Sequence, residues 1–250
     1  MGSEVTAAEV EAAQPQPGMQ VLDVASGTGE PAISLADRVG PQGHVTGVDT
    51  ASTALATAEQ RAAKRGLKNV TFLTADVHHL PFPEASFDLV TSRFGLMFFA
   101  DLPRALSEMR RVLKPGGRVA FVTWGQFEQP YFTSTVVLIL SMVKGAEMPA
   151  GARAMFKFGS QGAMSAALSG AGFVDVEEEF RAVPWVWPGP PEQLWEYFRE
   201  VTIPFRLVLD SVPAERKEEV EGKILQALRQ YYDGAQVNLT ATIVVGTGRK

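Results

Sequence analysis

The sequence predicts an α/β fold in which helices cover both faces of a mostly parallel sheet. Three observations predict it. Between residues 20 and 124, short β-branched runs alternate with longer helical patterns, as in repeated strand-helix units. Most of these runs are apolar almost throughout, as expected of strands that meet water on neither face. The first run ends in a glycine turn that opens directly into a helical pattern. At 250 residues and 46% hydrophobic content, the chain can bury one full core of this kind, and no second independent domain is required.

Taken in order, strands are expected at residues 20–25, 44–49, 70–75, 87–92 and 118–124. Pro31 stands where a first helical turn tolerates proline, and Gly66 follows Ala62-Ala63-Lys64-Arg65 as a helix stop. Asp101 is placed as an N-cap. Behind it Leu102, Leu106, Met109 and Leu113 recur at spacings of four, three and four, one apolar stripe to lay on the sheet. Lys114-Pro115-Gly116-Gly117 then reads as a turn. Beyond Trp124, residues 131–144 and 161–171 look helical, and residues 173–180 and 236–245 look like strands. Between those strands, at about 182–232, lies an aromatic and proline-rich insertion with Trp185, Trp187, Trp195, Tyr197 and Phe198. With a helix over 213–232, it is expected to form a small helical cap. The expected organisation is one domain over 1–250: a core at 18–125, with the remaining strands and the cap in 126–250.

Composition excludes several function classes. A formal net charge of -5 repels a polyphosphate backbone, so nucleic acid is not an expected partner. The absence of cysteine removes disulfides, thiolate metal sites and cysteine nucleophiles; no metal is expected, and a reducing cytoplasm fits. The longest apolar stretch, around residues 136–140, falls short of the roughly 20 residues that cross a bilayer. Residues 1–6 formally fit an N-myristoylation pattern, but no basic cluster supplies a second anchor, and the match reads as chance.

The stretch richest in chemistry is Val21-Leu22-Asp23-Val24-Ala25-Ser26-Gly27-Thr28-Gly29-Glu30. Gly27 and Gly29 let the backbone approach a ligand, and the following helix start offers unpaired N–H groups. Alone, the same glycines serve equally as a conformational turn. Asp49 ends the second strand 20 positions beyond Gly29, a spacing that sets a carboxylate beside the turn, where it can accept both hydroxyls of a ribose. It could instead cap the next helix. Asp76 ends the third strand on the same sheet edge, where open α/β sheets bind ligands, although a plain turn role is open to it too.

These residues resemble a known family. Asp23 to Gly29, Gly47-Val48-Asp49, Ala75-Asp76, Leu80-Pro81-Phe82-Pro83-Glu84-Ala85-Ser86-Phe87-Asp88 and Arg111 to Gly117 are similar to class I S-adenosylmethionine-dependent methyltransferases, particularly the UbiE-like branch, over about residues 19–125. The resemblance implies a Rossmann-like seven-stranded sheet of order 3-2-1-4-5-7-6 with its last strand antiparallel. It implies that Ala25, Ser26, Gly27, Thr28 and Gly29 hold the methionine end of S-adenosylmethionine and that Asp23 orients their loop. Asp49 with Thr50 would take the ribose, Asp76 with Val77 the adenine, and Ser92 and Phe94 would line the site; S-adenosylhomocysteine would be the product. Ser26 stands where many relatives have cysteine, and Phe94 to Phe98 lacks the arginine of quinone-methylating members, which points away from a quinone precursor.

Methyl transfer from a sulfonium needs alignment and exclusion of water more than it needs a catalytic group. No catalytic residue is assigned. His78, His79, Glu128 and Tyr131 are the nearby candidates for a base, and both histidines read more simply as loop residues. Arg93, Met97, Tyr131, Trp185 and Trp187 are candidates for a substrate pocket suited to a small aromatic or apolar molecule. Arg93 is equally readable as a surface ion pair, and the aromatic residues as core packing. The rival function is a nicotinamide (NAD)-dependent oxidoreductase, since Gly27 to Ala32 also fits the G-x-G-x-x-A form; a non-catalytic binding protein on the same fold is a further alternative.

Overall fold

The structure, a computed structural model, describes residues 2–250. A central sheet has the order β3-β2-β1-β4-β5-β7-β6, the order the family resemblance implies. In chain order the elements are α1 (Ser3–Ala13), β1 (Gln20–Val24), α2 (Ala32–Val39), β2 (His44–Asp49), α3 (Ser52–Lys64), β3 (Val70–Thr74), β4 (Phe87–Arg93), α4 (Leu102–Val112), β5 (Leu113–Trp124), α5 (Pro130–Thr133), α6 (Val136–Met142), α7 (Ala150–Ala154), α8 (Ala163–Gly170), β6 (Val174–Trp187), α9 (Pro191–Val201), α10 (Arg206–Asp210), α11 (Lys217–Arg229) and β7 (Val237–Arg249). Strands β1 to β5 pair in parallel, and β7 runs antiparallel to both β5 and β6. The order reverses between β1 and β4. There the loops leaving the two strands diverge and open a crevice at their carboxyl ends.

Local chemistry explains where the elements depart from the expected bounds. Strand β5 begins at Leu113, which pairs with Phe87 across a bulge, so the Pro115-Gly116 bend lies inside the strand, with Gly116 at φ +75°. Residues 131–144 form two helices, because the Thr135 hydroxyl bonds the Tyr131 carbonyl at 2.6 Å and breaks the run. Strand β6 runs on to Trp187, which pairs with Val237. Trp185 and Trp187 therefore sit on the sheet edge and not in the helical insertion. An edge strand has no ladder on its outer side, which is why it accommodates Pro184.

The N-terminal segment departs most. The myristoylation pattern begins at Met1, which lies outside the described residues, but Ser3–Ala13 is helix α1, packed on β4, β5 and β7 beside α2. Val5, Ala8, Val10 and Ala13 are buried in it. Glu9 lies in the middle of this buried stripe, so the apolar period of the helix is interrupted in the sequence. Arg118 donates to the Ala12 carbonyl at 2.9 Å, and Arg181 pairs with Glu11 at 2.7 Å, clamping the helix to the sheet.

Two buried acids meet under α1. Glu9 is fully buried with no hydrogen-bond partner for either oxygen. Burial, and secondarily the charge of Asp23, holds its carboxyl well above the ordinary range. Asp23 on β1 is also fully buried; its Oδ1 accepts the Thr91 hydroxyl at 2.9 Å while Oδ2 is unpaired. Burial pushes it up to about 6, against the opposing pull of the nearby Ser26 and Thr91 hydroxyls and Arg93. A folded-state value above the unfolded one means stability that is complete below pH 4 and lost as pH rises through about 6. Denaturant unfolding between pH 4 and pH 7 should show the wild type losing about 3 kcal/mol relative to Asp23→Asn. Parallel pH profiles for the two proteins would contradict this. Glu9→Gln should likewise flatten the profile, because burial raises the Glu9 carboxyl as well.

Candidate functional site

The crevice at the switch point is built from the ends of β1, β2, β3 and β4. At the end of β1 the chain turns through Ala25 at φ +58° and Gly27 at φ +52°, left-handed values that favour glycine and strain alanine. A Cβ on Gly27 would meet nothing within 4 Å, so this face of the turn is open to a ligand. Gly29 serves differently. A Cβ there would lie 2.7 Å from Ile33 and 3.0 Å from Ala58, so its role is close packing of α2 and α3 and not approach to a ligand.

Asp49, at the end of β2, ties the turn together. Its Oδ2 accepts the Gly27 N–H and its Oδ1 the Ala51 N–H, both at 2.9 Å. The carboxylate thus ties the glycine turn to the residue that precedes α3, while α3 itself has no side-chain cap. Asp49 lines the crevice, and a carboxylate oxygen that accepts one donor can accept a second. Thr28 faces away: its carbonyl accepts Arg61 at 2.8 Å.

A cavity of about 600 Å³ lies at this edge, in the range of small-ligand sites. Ala25, Asp49, Thr50, Asp76, Val77 and Phe94 line it together. Ser26 and Ser92 do not: both are buried behind the wall, and neither hydroxyl has a partner. Ser92 Oγ lies so close under Gly95 that a Cβ there would be 2.4 Å from it, so position 95 has room only for glycine. Asp23 lies beneath the turn, outside the cavity. Sequence reasoning left His78, Phe98 and Phe99 out of the lining, where the structure puts them. Their nearness to Asp76 and Phe94 along the chain was the available signal.

At the far end of the cavity, exposed Asp76 accepts the His78 backbone N–H at 2.9 Å and meets the His78 ring Nδ1 at 2.6 Å. The backbone bond and then the ring hold the Asp76 carboxyl below its usual range. At the other end Phe94, itself at φ +61°, stacks on Trp124 at 4.6 Å and 17°. From there aromatic contacts run without a break: Trp124 to Trp185 at 5.1 Å, Trp185 to Tyr131 at 5.8 Å and Tyr131 to Phe198 at 5.3 Å. Met97 joins this buried cluster, and Trp187 packs at its margin on Tyr197. In this conformation the rings are packed core. The indole N–H groups of Trp185, Trp187 and Trp195 are nevertheless buried without acceptors, which is unusual for tryptophan.

Two candidates are occupied elsewhere. Among the described residues Arg93 forms no ion pair; its guanidinium donates to the carbonyls of Glu30 at 3.2 Å and Gly2 at 3.4 Å, a strut between the glycine turn and α1. His79 is exposed and contacts Arg104. Tyr131 is buried in the aromatic cluster, and burial raises its phenol far above the usual value, so it stays protonated and is no base at neutral pH. Glu128 is exposed outside the cavity. Among the described residues no group of three or more histidines and acids could hold a metal ion.

The residues present fit a nucleoside cofactor with a cationic end: two acceptor carboxylates stand apart on one wall, and unpaired buried oxygens of Asp23, Ser26 and Ser92 lie under the turn. A family model described as a methyltransferase domain matches residues 15–155. Nocamycin O-methyltransferase of Saccharothrix syringae is 30% identical over 258 residues, covering 94% of this chain and 86% of that protein. Demethylmenaquinone methyltransferase of Listeria monocytogenes is 42% identical over 111 residues, but the match covers only 44% of this chain and 47% of that protein. A putative methyltransferase structure from Bacillus halodurans superposes with a TM-score of 0.64 at 21% identity, covering 98% of each chain, and so shares the fold. A nicotinamide reading of the same turn finds no support. The chain belongs to the S-adenosylmethionine-dependent methyltransferases, with relatives in the UbiE-like branch, and S-adenosylmethionine is its cofactor.

Proposed function

We propose that this chain, working as a single methyltransferase domain in the cytoplasm, moves a methyl group to a small aromatic or apolar molecule. The acceptor would sit at the Phe94 end of the cavity, where its wall meets the aromatic cluster. The observation that carries this is the Phe94–Trp124 stack, which joins the cavity wall directly to the aromatic cluster. Nocamycin and demethylmenaquinone, for which the relatives are named, are small molecules too. A net charge of -5 speaks against nucleic acid. Among the described residues no helix is long and apolar enough to cross a membrane, and the lack of cysteine suits a reducing compartment.

In this reading Asp49 accepts the ribose hydroxyls, Asp76 the adenine amino group, and the open face of Gly27 receives the methionine end. Once bound, the cofactor supplies a sulfonium-activated methyl for in-line displacement. The chain aligns the acceptor and excludes water. Tyr131, inside the aromatic cluster, is held neutral by burial. Acceptors whose nucleophile ionises readily, such as phenols, enols, thiols or acidic carbons, therefore suit it best. The unpaired indole N–H groups of Trp185 and Trp195 offer donors to an oxygen on such a molecule.

In thermal-shift experiments S-adenosylhomocysteine should stabilise the protein and NAD should not; the reverse pattern would overturn the cofactor reading. Asp49→Ala should weaken S-adenosylhomocysteine binding by about 1–3 kcal/mol in calorimetry, because the ribose hydroxyls and the Gly27 N–H lose their acceptor. An unchanged dissociation constant would remove Asp49 from the site. Across a panel of phenols, enols, thiols and quinones, Trp185→Phe should raise the acceptor KM by about 2- to 12-fold, the worth of one hydrogen bond, with cofactor affinity unchanged. Equal losses for cofactor and acceptor would assign Trp185 to packing alone.

A further inference from the structure

We propose that His78 is a positioning residue for adenine recognition: its imidazole holds the Asp76 carboxylate so that one oxygen faces the cofactor's exocyclic amine. This rests on the reading of Asp76 as the partner of adenine. Asp76 by itself is poorly restrained, since its side chain is 55% exposed on a loop. A carboxylate free to rotate in water spreads its lone pairs over many directions and loses that freedom when a ligand binds. His78 removes the freedom in advance. Its backbone N–H and ring both bond Oδ1, at 2.9 and 2.6 Å, which leaves Oδ2 as the oxygen open to a donor.

The protein also dictates which ring nitrogen carries the proton. The Asp101 backbone N–H points at His78 Nε2 at 3.3 Å, and an amide N–H can only donate. Nε2 must therefore be the bare acceptor and Nδ1 the protonated donor to Asp76. Asp101 is in turn the N-cap of α4, accepting the Arg104 N–H at 3.0 Å. The same helix grips the rest of the loop. Arg104 donates to the His78 carbonyl at 3.0 Å, Glu108 accepts the Leu80 N–H at 2.9 Å, and Arg111 donates to the carbonyls of Leu80 and Phe82 at 3.0 and 2.8 Å. The imidazole stands edge-on to Phe99, 77° between planes, and lines the cavity. A chain of fixed donors thus runs from α4 through one tautomer of His78 to Asp76, presenting an acceptor where a 6-amino purine has a donor and a 6-oxo purine does not.

The test is calorimetry with two ligands, S-adenosylhomocysteine and its 6-oxo analogue S-inosylhomocysteine, on wild type, His78→Phe and His78→Asn. Phenylalanine keeps a ring against Phe99 but cannot donate, whereas the asparagine amide can donate from nearly the position of Nδ1. The wild type should bind S-inosylhomocysteine at least tenfold more weakly. His78→Phe should weaken S-adenosylhomocysteine by about three- to tenfold and leave S-inosylhomocysteine within twofold, and His78→Asn should recover most of the loss. Equal weakening of both ligands, no weakening of either, or no recovery with asparagine would overturn the positioning role. If the wild type itself fails to discriminate between the ligands, the Asp76–adenine reading is what has failed.

Discussion

The carboxylate of Asp49 is the contact on which the cofactor edge depends. A strand that ends in a left-handed turn leaves backbone N–H groups without partners, and such a turn has no rigid geometry of its own. Asp49 accepts one N–H from the turn and one from the start of α3, so the ends of β1 and β2 and the helix behind them move as one piece. The parallel register that sets Asp23 beside Gly47 brings the acid within reach. Strain at Ala25 is held in place by this arrangement, and its mirror across the crevice is Phe94, another non-glycine residue with positive φ. Strained residues that face a cavity from both sides are a mark of functional sites.

Behind the turn, the structure sets charge where a core ordinarily has none. Glu9 and Asp23 are buried together, with Arg93 near both and tied to backbone carbonyls of the turn and of α1. Unsatisfied buried oxygens cost stability, so this cluster weakens the fold beneath the glycine turn. Helix α1 is more than a cover for the sheet, since it contributes one of these acids.

Beyond Phe94 the same edge changes character from polar to aromatic. The polar half offers the carboxylates of Asp49 and Asp76, and the aromatic half offers area and ring faces. Methyl transfer suits such a division, because the reaction asks for alignment and dryness and for little proton transfer. The cap helices α9 to α11 and the segment α5 to α7 complete the aromatic half.

The sequence by itself determined the sheet's parallel half, the cofactor family and six residues of the cavity wall, because these rest on local signals: apolar runs, a glycine turn, and acids at strand ends a fixed distance apart. It was silent on α1, where Glu9 breaks the apolar period, and it cut β6 short of Trp185 and Trp187, because an edge strand with a proline does not look like one in isolation. Only the tertiary structure decided that Arg93 is a strut, that Ser92 turns inward under Gly95, that Gly29 packs helices, and that His78 joins Asp76 to α4. Each of these depends on what lies opposite in space, tens of residues away along the chain, and pairing across such distances leaves no periodic trace in the residues themselves.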